Sequence, residues 1–181
     1  THNGQQLYYT NRYTKIQPNS IYSEIAEEFM MSTNIGTDTL NNWQYSTGKL
    51  MDWPFNDGRN QGGIALSSDG KTLFITICES LRINNKAFKN CDIYSASKQA
   101  DFWEPPEKLG CQINANNTWE AQPTLSSDGN TLFFASERPG GFGGSDIYYC
   151  QKDSLNNWSK PINMGNIINT INDEKAPFIH F

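Results

Sequence analysis

Short apolar runs, rich in aromatic and β-branched residues, alternate along this 181-residue chain with clusters of turn-forming polar residues. The clearest stretch lies between Pro123 and Gly165, where the apolar run Leu132–Ala135 follows the turn sequence Ser127-Asp128-Gly129-Asn130. Asp can bond its own backbone and Gly accepts a positive φ, so this turn is expected to join two antiparallel strands. The run 132–135 shows no polar alternation, which predicts a strand buried on both faces.

The same pattern recurs along the chain. Ser67–Phe74 matches Ser126–Phe133 at an offset of 59 residues, and Cys91–Tyr94 matches Ser145–Tyr148 at an offset of 54. A weaker copy opens the chain around Leu7–Tyr9. Self-similarity at roughly 50-residue spacing is typical of repeat proteins, β-propellers included. We therefore predict an all-β fold, a β-propeller of four-stranded blades, with a β-sandwich as the competing interpretation.

The repeat divides the chain into four parts. We assign a first, irregular blade to residues 1–60, a second to 61–119, a third to 120–173, and the first strand of a following blade to 174–181. Closed propellers have about four to eight blades, so three blades are expected to be part of a larger closed propeller. The remaining blades, from the same polypeptide or another chain, are therefore expected partners.

One stretch of the first copy is ambiguous. Ile21, Ile25 and Phe29 have helical spacing, whereas the repeat alignment places a strand over residues 28–32. We expect an inserted loop with one helical turn, followed by that strand.

Composition narrows the class of partner. The chain has a formal net charge of −5 and 18% charged residues, and its Lys and Arg residues form no run or stripe. This argues against nucleic acid as a partner. The sequence contains no apolar run long enough for a transmembrane helix. Abundant Asn, Ser, Thr and Tyr, with 13% aromatic residues, suit a β protein outside the cytoplasm.

The four cysteines bear on the cellular compartment. Cys78 ends one predicted strand and Cys91 begins the next, so a disulfide there would close the loop 79–90 at its neck. Such a bridge would stabilise the fold by about 3 kcal/mol and would imply an oxidising compartment. The alternative is two unrelated buried thiols. Cys111 and Cys150 lie on different predicted blades, and whether they pair stays open.

The sequence offers little support for catalysis, and we predict no catalytic, cofactor-binding or metal-binding residue. The histidines, His2 and His180, each lie beside a chain end, and no Cys/His cluster has metal-ligand spacing. A pair of carboxylates for glycoside hydrolysis stays open. The available carboxylates are Glu107, Glu120, Asp146 and Glu174. Because they recur at equivalent repeat positions, a role in hydrogen bonding at turns and strand ends is favoured over catalysis.

One loop is a candidate for contact with partners, and one repeated tryptophan position is a candidate for packing. The glycine-rich segment 138–144 predicts a hairpin loop that needs unusual φ values, and Arg138 and Phe142 within it are candidate partner-facing residues. Trp43, Trp103 and Trp158 occupy the same repeat position, which favours packing over ligand stacking.

Three motifs together resemble the TolB-type, WD40-like propeller repeat. They are Ser-Ser-Asp-Gly-x-Thr-Leu-Phe at 126–133, Arg-Pro-Gly-Gly-Phe-Gly-Gly-Ser-Asp-Ile-Tyr at 138–148, and Trp-x-x-Pro-Ile-Asn-Met-Gly at 158–165. The Ser-x-Asp-Gly turns are also similar to the Asp-boxes of sialidase propellers. Here Gly follows Asp directly and Phe replaces Trp, which favours a plain hairpin turn.

A narrower resemblance links the chain to Bacteroidota OmpA-family outer-membrane lipoproteins, a family that includes a component of the type IX secretion system. It rests on the segment 56–61, on the Cys78/Cys91 pair and on the segment 168–180. The resemblance implies a periplasmic, outer-membrane-associated protein that contacts other proteins of a cell-envelope complex. It also implies a link to peptidoglycan through a domain not in this chain. Thr39 and Ser154, each between Asp and an aliphatic residue, resemble the O-glycan acceptors of Bacteroidota exported proteins.

These expectations lead to one functional hypothesis and two alternatives. The hypothesis is a non-enzymatic propeller scaffold that mediates protein–protein contacts in a cell-envelope assembly such as type IX secretion. The first alternative is the propeller of an exported glycan-binding or hydrolytic enzyme. The second is the regulatory propeller of a prolyl-oligopeptidase-like enzyme.

Overall fold

The chain is built from antiparallel strands, and the residues that the structure describes contain no helix. The structure is a computed structural model that describes residues 4–16, 23–36, 44–83, 85–110 and 112–179. Within these ranges, no helix is long and apolar enough to cross a membrane. The strands are β1 (Gln6–Ile16), β2 (Ser23–Thr33), β3 (Lys49–Leu50), β4 (Asn60–Leu66), β5 (Thr72–Ile83), β6 (Lys86–Gln99), β7 (Phe102–Trp103), β8 (Glu107–Lys108), β9 (Glu120–Leu125), β10 (Thr131–Ser136), β11 (Asp146–Gln151) and β12 (Ile162–Asn163).

The strands form three sheets. Each sheet, together with the connection that follows it, is called a unit, and the units are numbered first to third in chain order. The first sheet has the order β1-β2-β3, the second β4-β5-β6-β7 with β8 also paired to β6, and the third β12-β11-β10-β9. The strands β1, β5 and β10 occupy equivalent positions, because each forms an antiparallel pair with the next long strand of its own sheet, β2, β6 and β11 respectively. The predicted repeat is therefore visible in the strand pairing.

The Asp-Gly turns have the predicted local chemistry. In the third unit the Ser126 hydroxyl donates to Asp128, and the same Asp128 oxygen accepts the backbone N–H of Asn130. Gly129 has a φ of 72° and donates its N–H to the carbonyl of Ser126. The turn at Ser67 in the second unit repeats these bonds one for one. Side-chain acceptors and a positive-φ glycine thus specify both hairpins.

An asparagine, buried in the second and third units and half-buried in the first, ends each unit and substitutes for a missing backbone partner. Asn114 accepts the N–H of Ile93 at 2.7 Å and donates to the carbonyl of Ile93 at 2.9 Å. Asn169 makes the same pair of bonds to Ile147. In the first unit Asn56 does so with Phe29. Because one side chain serves both polar groups of a strand residue, each connection is fixed against its sheet.

The hydrophobic core lies in two layers between the sheets. The first layer joins the first and second units and contains Phe29, Phe55, Leu73, Ile75, Ile77, Ala96 and Trp103. The second layer joins the second and third units and contains Phe74, Ile93, Ile113, Leu125, Leu132, Phe134, Tyr148 and Cys150. Alternate residues of β5 enter different layers, because successive side chains of a strand point to opposite faces. The second sheet is therefore buried on both faces.

Two predictions about local structure were wrong. Residues 23–33 form one continuous strand, β2, in place of an inserted helical turn and a short strand over 28–32. Residues 79–83 and 86–90, predicted to lie in a loop, instead continue β5 and β6 past the cysteines as a regular antiparallel pair that ends at Ile83 and Lys86. In both cases the extension consists of backbone pairing, which hydrophobic spacing in the sequence does not report.

The predicted strand at 174–181 is not formed in its described part, residues 174–179. The segment nevertheless follows the path of an inner strand. Ala176 has a φ of 53°, close to the 57° of Gly63 and Gln122 at the equivalent positions of β4 and β9. Its N–H donates to the side chain of Gln122 at 2.7 Å. No described strand lies on its other side, so the segment lacks the ladder of hydrogen bonds that a strand requires.

Candidate functional site

Two hairpins extend well beyond the repeat, and they distinguish the first two units from the third. The β10–β11 hairpin contains six residue pairs, from Thr131–Gln151 to Ser136–Asp146. The β5–β6 hairpin contains twelve and the β1–β2 hairpin eleven. In each long hairpin the first six pairs correspond to the standard unit, and the remainder is an arm. We call residues 12–16 with 23–27 the first arm, and 78–83 with 86–91 the second arm.

A disulfide closes the base of the second arm. Cys78 and Cys91 are directly opposite each other in the register of β5 and β6, with their Cα atoms 4.0 Å apart. Cys91 is fully buried, and its backbone forms a parallel bridge with Trp119 at the entrance to the third unit. The disulfide therefore links the two strands of the arm at the point where the arm meets the body of the molecule.

The disulfide leads to a direct prediction. Peptide mapping without reduction should recover Cys78 and Cys91 in one linked fragment when the protein is purified from an oxidising compartment. The paired substitutions Cys78→Ser and Cys91→Ser should lower the free energy of unfolding by about 3 kcal/mol, because a bridge across 13 residues restricts the unfolded chain. Reduced wild-type protein is the matched control and should lose a similar amount. Two free thiols in such material would contradict the prediction.

A polar cleft of about 420 Å³ separates the two arms. Lys15 and Ile25 of the first arm line one side, and Ser80 of the second arm lines the other. At its base Arg59 donates to Asp57 and, at 2.9 Å, to Glu79. Hydrogen bonds from Arg59 hold the pKa of the Asp57 carboxyl below its usual range. The cleft is thus a charged, partly open surface whose floor is fixed by an ion-pair network.

The side chain of Arg138 turns inward and is only 13% exposed. The guanidinium stacks over Tyr148 at 4.9 Å and lies 3.4 Å from the carboxylate of Glu120, which is fully buried. It also donates to the main-chain carbonyl of Ile113. Phe142, by contrast, is half exposed. Of the two candidate residues in the glycine-rich loop, only Phe142 is therefore presented to solvent.

Glu120, the carboxylate beside Arg138, is 0% exposed. It accepts the hydroxyls of Thr118 and Ser136, both at 2.7 Å. Burial raises the pKa of Glu120, and the bonds from Ser136 and Thr118, followed by the charge of Arg138, act in the opposite direction. These contacts anchor β9 to β10 and to Arg138. The position matches the predicted role of the repeated carboxylates in hydrogen bonding at strand ends.

Asp146 holds the glycine-rich loop from beneath. Its carboxylate accepts the N–H groups of Phe142 and Gly143 and, at 2.7 Å, the side chain of Asn163. Only Gly140 of this loop has a positive φ. A Cβ atom at Gly143 would overlap the carbonyl oxygen of Asn172. The glycines are required chiefly for close approach of the backbone, and the prediction that they serve unusual φ values holds at Gly140 alone.

The other residues singled out in the sequence occupy varied places. Ser154 is exposed in a turn in which the Asp153 side chain accepts two backbone N–H groups. Trp103 packs against Tyr8 and Trp158 against Phe74, each an aromatic side chain of the preceding unit. Cys150 is a free, buried thiol, and burial raises its pKa to about 12. Thr39, Trp43, Cys111, His2 and His180 lie outside the described residues.

The sequence interpretation missed both arms and the network of Arg59. The polar segment Asn-Asp-Gly-Arg-Asn-Gln at 56–61, on which the family resemblance partly rests, contains Asp57 and Arg59 of this network, but its composition alone does not indicate the ion pair with Glu79. In the part of the chain that the structure describes, no group of three or more His, Cys, Asp or Glu side chains could hold a metal ion. Comparisons with protein-family models, with curated proteins and with solved structures found no match to this chain.

Proposed function

We propose that this chain forms part of a β-propeller that acts as a non-enzymatic scaffold, binding other proteins in a cell-envelope assembly of the periplasm and outer membrane. One observation carries the proposal. The two arms are additions to the repeat that stand on either side of one cleft, and apart from Asn90 and Cys91 at the base of the second arm their described residues are exposed or half-buried. Exposed apolar side chains on the first arm, Ile16 and Ile25, suit contact with another protein.

The chemistry of the interior supports a scaffold over an enzyme. The carboxylates Glu120, Asp146 and Glu174 each accept hydrogen bonds from neighbouring loops or strands. These bonds support a structural role for the three carboxylates, which in Glu120 is carried by Oε1 alone, since its buried Oε2 has no hydrogen-bond partner among the described residues. The disulfide favours an oxidising compartment, in keeping with a periplasmic location. A role in type IX secretion rests on the sequence resemblance described above.

Site-specific photocrosslinking in cells of the natural host tests this function. A photoreactive amino acid would be placed at Ser80 or at Lys89, both exposed on the second arm, within the complete natural protein. Both positions should yield the same discrete adduct with an envelope protein. Lys71, exposed at the opposite end of β5, is the matched control and should yield none.

A shortened variant provides the second half of the test. Replacing residues 80–89 with a two-residue Asn-Gly turn keeps the disulfide and should abolish the adduct without unfolding the protein. Equal crosslinking from Lys71 would remove the arm as a binding surface. Robust hydrolysis of peptides, esters or glycosides that Glu120→Gln abolished in folded protein would favour the enzyme alternative.

A further inference from the structure

A groove of about 350 Å³ opens between the first and second units, at the opposite end of β6 from the second arm. Trp53, in the connection after β3, lines it from the first unit, and Phe102 of β7 lines it from the second. The two side chains are 77% and 61% exposed. Large apolar side chains that are exposed together on one concave surface mark a binding site. The volume is within the range of ligand pockets, about 300–1,000 Å³.

Both exposed rings are positioned by buried neighbours. Phe55, two residues after Trp53, is 3% exposed, and its N–H donates to the carbonyl of Asp52 at 3.1 Å. Phe102 directly precedes the buried Trp103, and both residues pair with the end of β6. A ligand would therefore meet aromatic rings whose backbone is already fixed, which lowers the entropic cost of binding.

The next interface forms without these two aromatic residues. A groove of about 280 Å³ lies at the equivalent place between the second and third units. Trp158 occupies the position there that the buried tryptophan of β7 occupies in the first groove, and each has a lysine ammonium over its ring. The residue before Trp158, equivalent to Phe102, is Asn157. Counted back from the asparagine of each connection, Trp53 corresponds to Cys111. Packing of the units thus requires neither aromatic side chain.

The polar residues beside the rings indicate the chemistry of the ligand. Asp52 and Asp101 each directly precede one of the two exposed aromatic residues, and both are exposed in the lining of the groove. No hydrogen bond or ion pair joins either carboxylate to another described residue. The lining also contains Lys49 and Lys98, so its two cations balance its two carboxylates. An uncharged ligand with polar groups therefore suits this groove.

Two classes of ligand commonly occupy grooves lined by aromatic rings, and the carboxylates distinguish between them. An ionised carboxylate only accepts hydrogen bonds, so it requires a ligand with donors. A proline-rich peptide presents chiefly carbonyl acceptors, since proline has no N–H. A glycan presents hydroxyl donors around each sugar ring. The C–H groups on the face of that ring are electropositive and suit the negative face of an aromatic ring.

We propose that this groove binds a neutral glycan. Trp53 and Phe102 stack against the faces of sugar rings, and the two carboxylates accept hydrogen bonds from sugar hydroxyl groups. The groove lies away from both arms, so glycan binding is independent of the protein partners proposed for the arms.

Titration calorimetry of the complete natural protein tests the site. The probes are neutral hexasaccharides, one each of glucose, mannose, galactose, xylose and N-acetylglucosamine. At least one should bind with a Kd of about 1 mM or lower. Trp53→Ala and Phe102→Ala should each weaken this binding about tenfold, because each removes one aromatic contact. Asp52→Asn should weaken it about threefold to tenfold, since hydrogen bonds to a charged acceptor are stronger than those to a neutral one.

Fluorescence places the glycan on the ring of Trp53. An exposed indole that a ligand covers should shift its emission to shorter wavelength on titration. Trp53→Phe should keep most of the affinity, because phenylalanine also offers an aromatic face, but it should lose this shift. A structural effect of the substitution on a distant site would not produce that combination.

Two variants serve as matched controls. Phe142→Ala removes an exposed aromatic side chain of the third unit, and Asn157→Ala changes the second groove at the position of Phe102. Both should bind the glycan as wild type does. Thermal unfolding verifies that each variant is folded. If Phe102→Ala unfolds, Phe102→Asn replaces it, because the second groove already contains asparagine at this position.

Three results would overturn the proposal: no binding of any hexasaccharide at about 1 mM, an equal loss of affinity in Phe142→Ala, or full affinity in both Trp53→Ala and Phe102→Asn. Binding of a proline-rich decapeptide that Trp53→Ala abolishes, with no hexasaccharide bound, would assign the groove to a peptide instead. Crosslinking from the second arm does not involve this groove, so the two proposals fail separately.

Discussion

Replacing Arg138 with methionine should lower the free energy of unfolding by about 3–5 kcal/mol, the usual cost of removing one partner of a buried ion pair. Glu120 is fully buried, and the Arg138 side chain is only 13% exposed. Methionine keeps much of the apolar stem against Tyr148 and Phe134 but removes the charge. The variant therefore leaves a buried carboxylate without its cation. Urea unfolding monitored by tryptophan fluorescence measures the loss.

Two further variants separate charge from packing. Lys175→Met is the matched control, because Lys175 also pairs with a carboxylate, Asp173, and lies over an aromatic ring, Trp119, but at the surface. It should cost less than about 1 kcal/mol. Adding Glu120→Gln to Arg138→Met should restore part of the stability, since the uncompensated charge is then absent. A double variant no more stable than Arg138→Met would contradict this explanation.

The pH dependence of Arg138→Met follows from the same carboxylate. Burial already raises the pKa of Glu120 in the folded protein, and losing Arg138 removes an influence that lowers it. The folded state then binds a proton at pH values where the unfolded state has released it. Stability therefore rises as the pH falls through this window, and the deficit of Arg138→Met should be smaller near about pH 5 than near about pH 8.

The sequence predicted features whose causes are local. The Ser67 and Ser126 turns depend on an Asp and a Gly within a few residues, so their chemistry can be read directly. The apolar run 132–135 lies in the central strand β10, but only in part as predicted: Leu132, Phe134 and Ala135 are buried, whereas Phe133, on the opposite face from Leu132 and Phe134, is half-buried. Four-stranded blades closed into a ring remain a proposal, because closure depends on contacts beyond these three sheets.

Long-range contacts account for what the sequence did not predict. Arg138 lies in the loop that the sequence predicts, but its side chain reaches the carbonyl of Ile113, 25 positions earlier in the chain. Gly143 is restricted by the carbonyl of Asn172, which lies in another connection. The arms consist of polar and apolar residues without turn glycines, and only the pairing of their backbones defines them. Such contacts exist only after the units have assembled.

Replacing Asn114 with alanine should lower the free energy of unfolding by about 2–4 kcal/mol, since an unsatisfied buried polar group costs about 1–3 kcal/mol and a small cavity adds to it. Asn114 is buried and bonds both polar groups of Ile93, as well as the carbonyl of Leu109 at 2.8 Å. Alanine leaves the N–H of Ile93, in the middle of β6, without an acceptor.

The pattern of bonds also predicts how substitutions at this position should rank. Asn114→Asp keeps the acceptor for Ile93 but turns a second oxygen toward the carbonyls of Ile93 and Leu109, so it should not restore stability at neutral pH. Asn116→Ala, exposed in the same connection, is the matched control and should change stability by less than about 0.5 kcal/mol. Denaturant midpoints at constant slope give the comparison. If Asn114→Ala unfolds at the midpoint of Asn116→Ala, the asparagine does not fix the connection to its sheet.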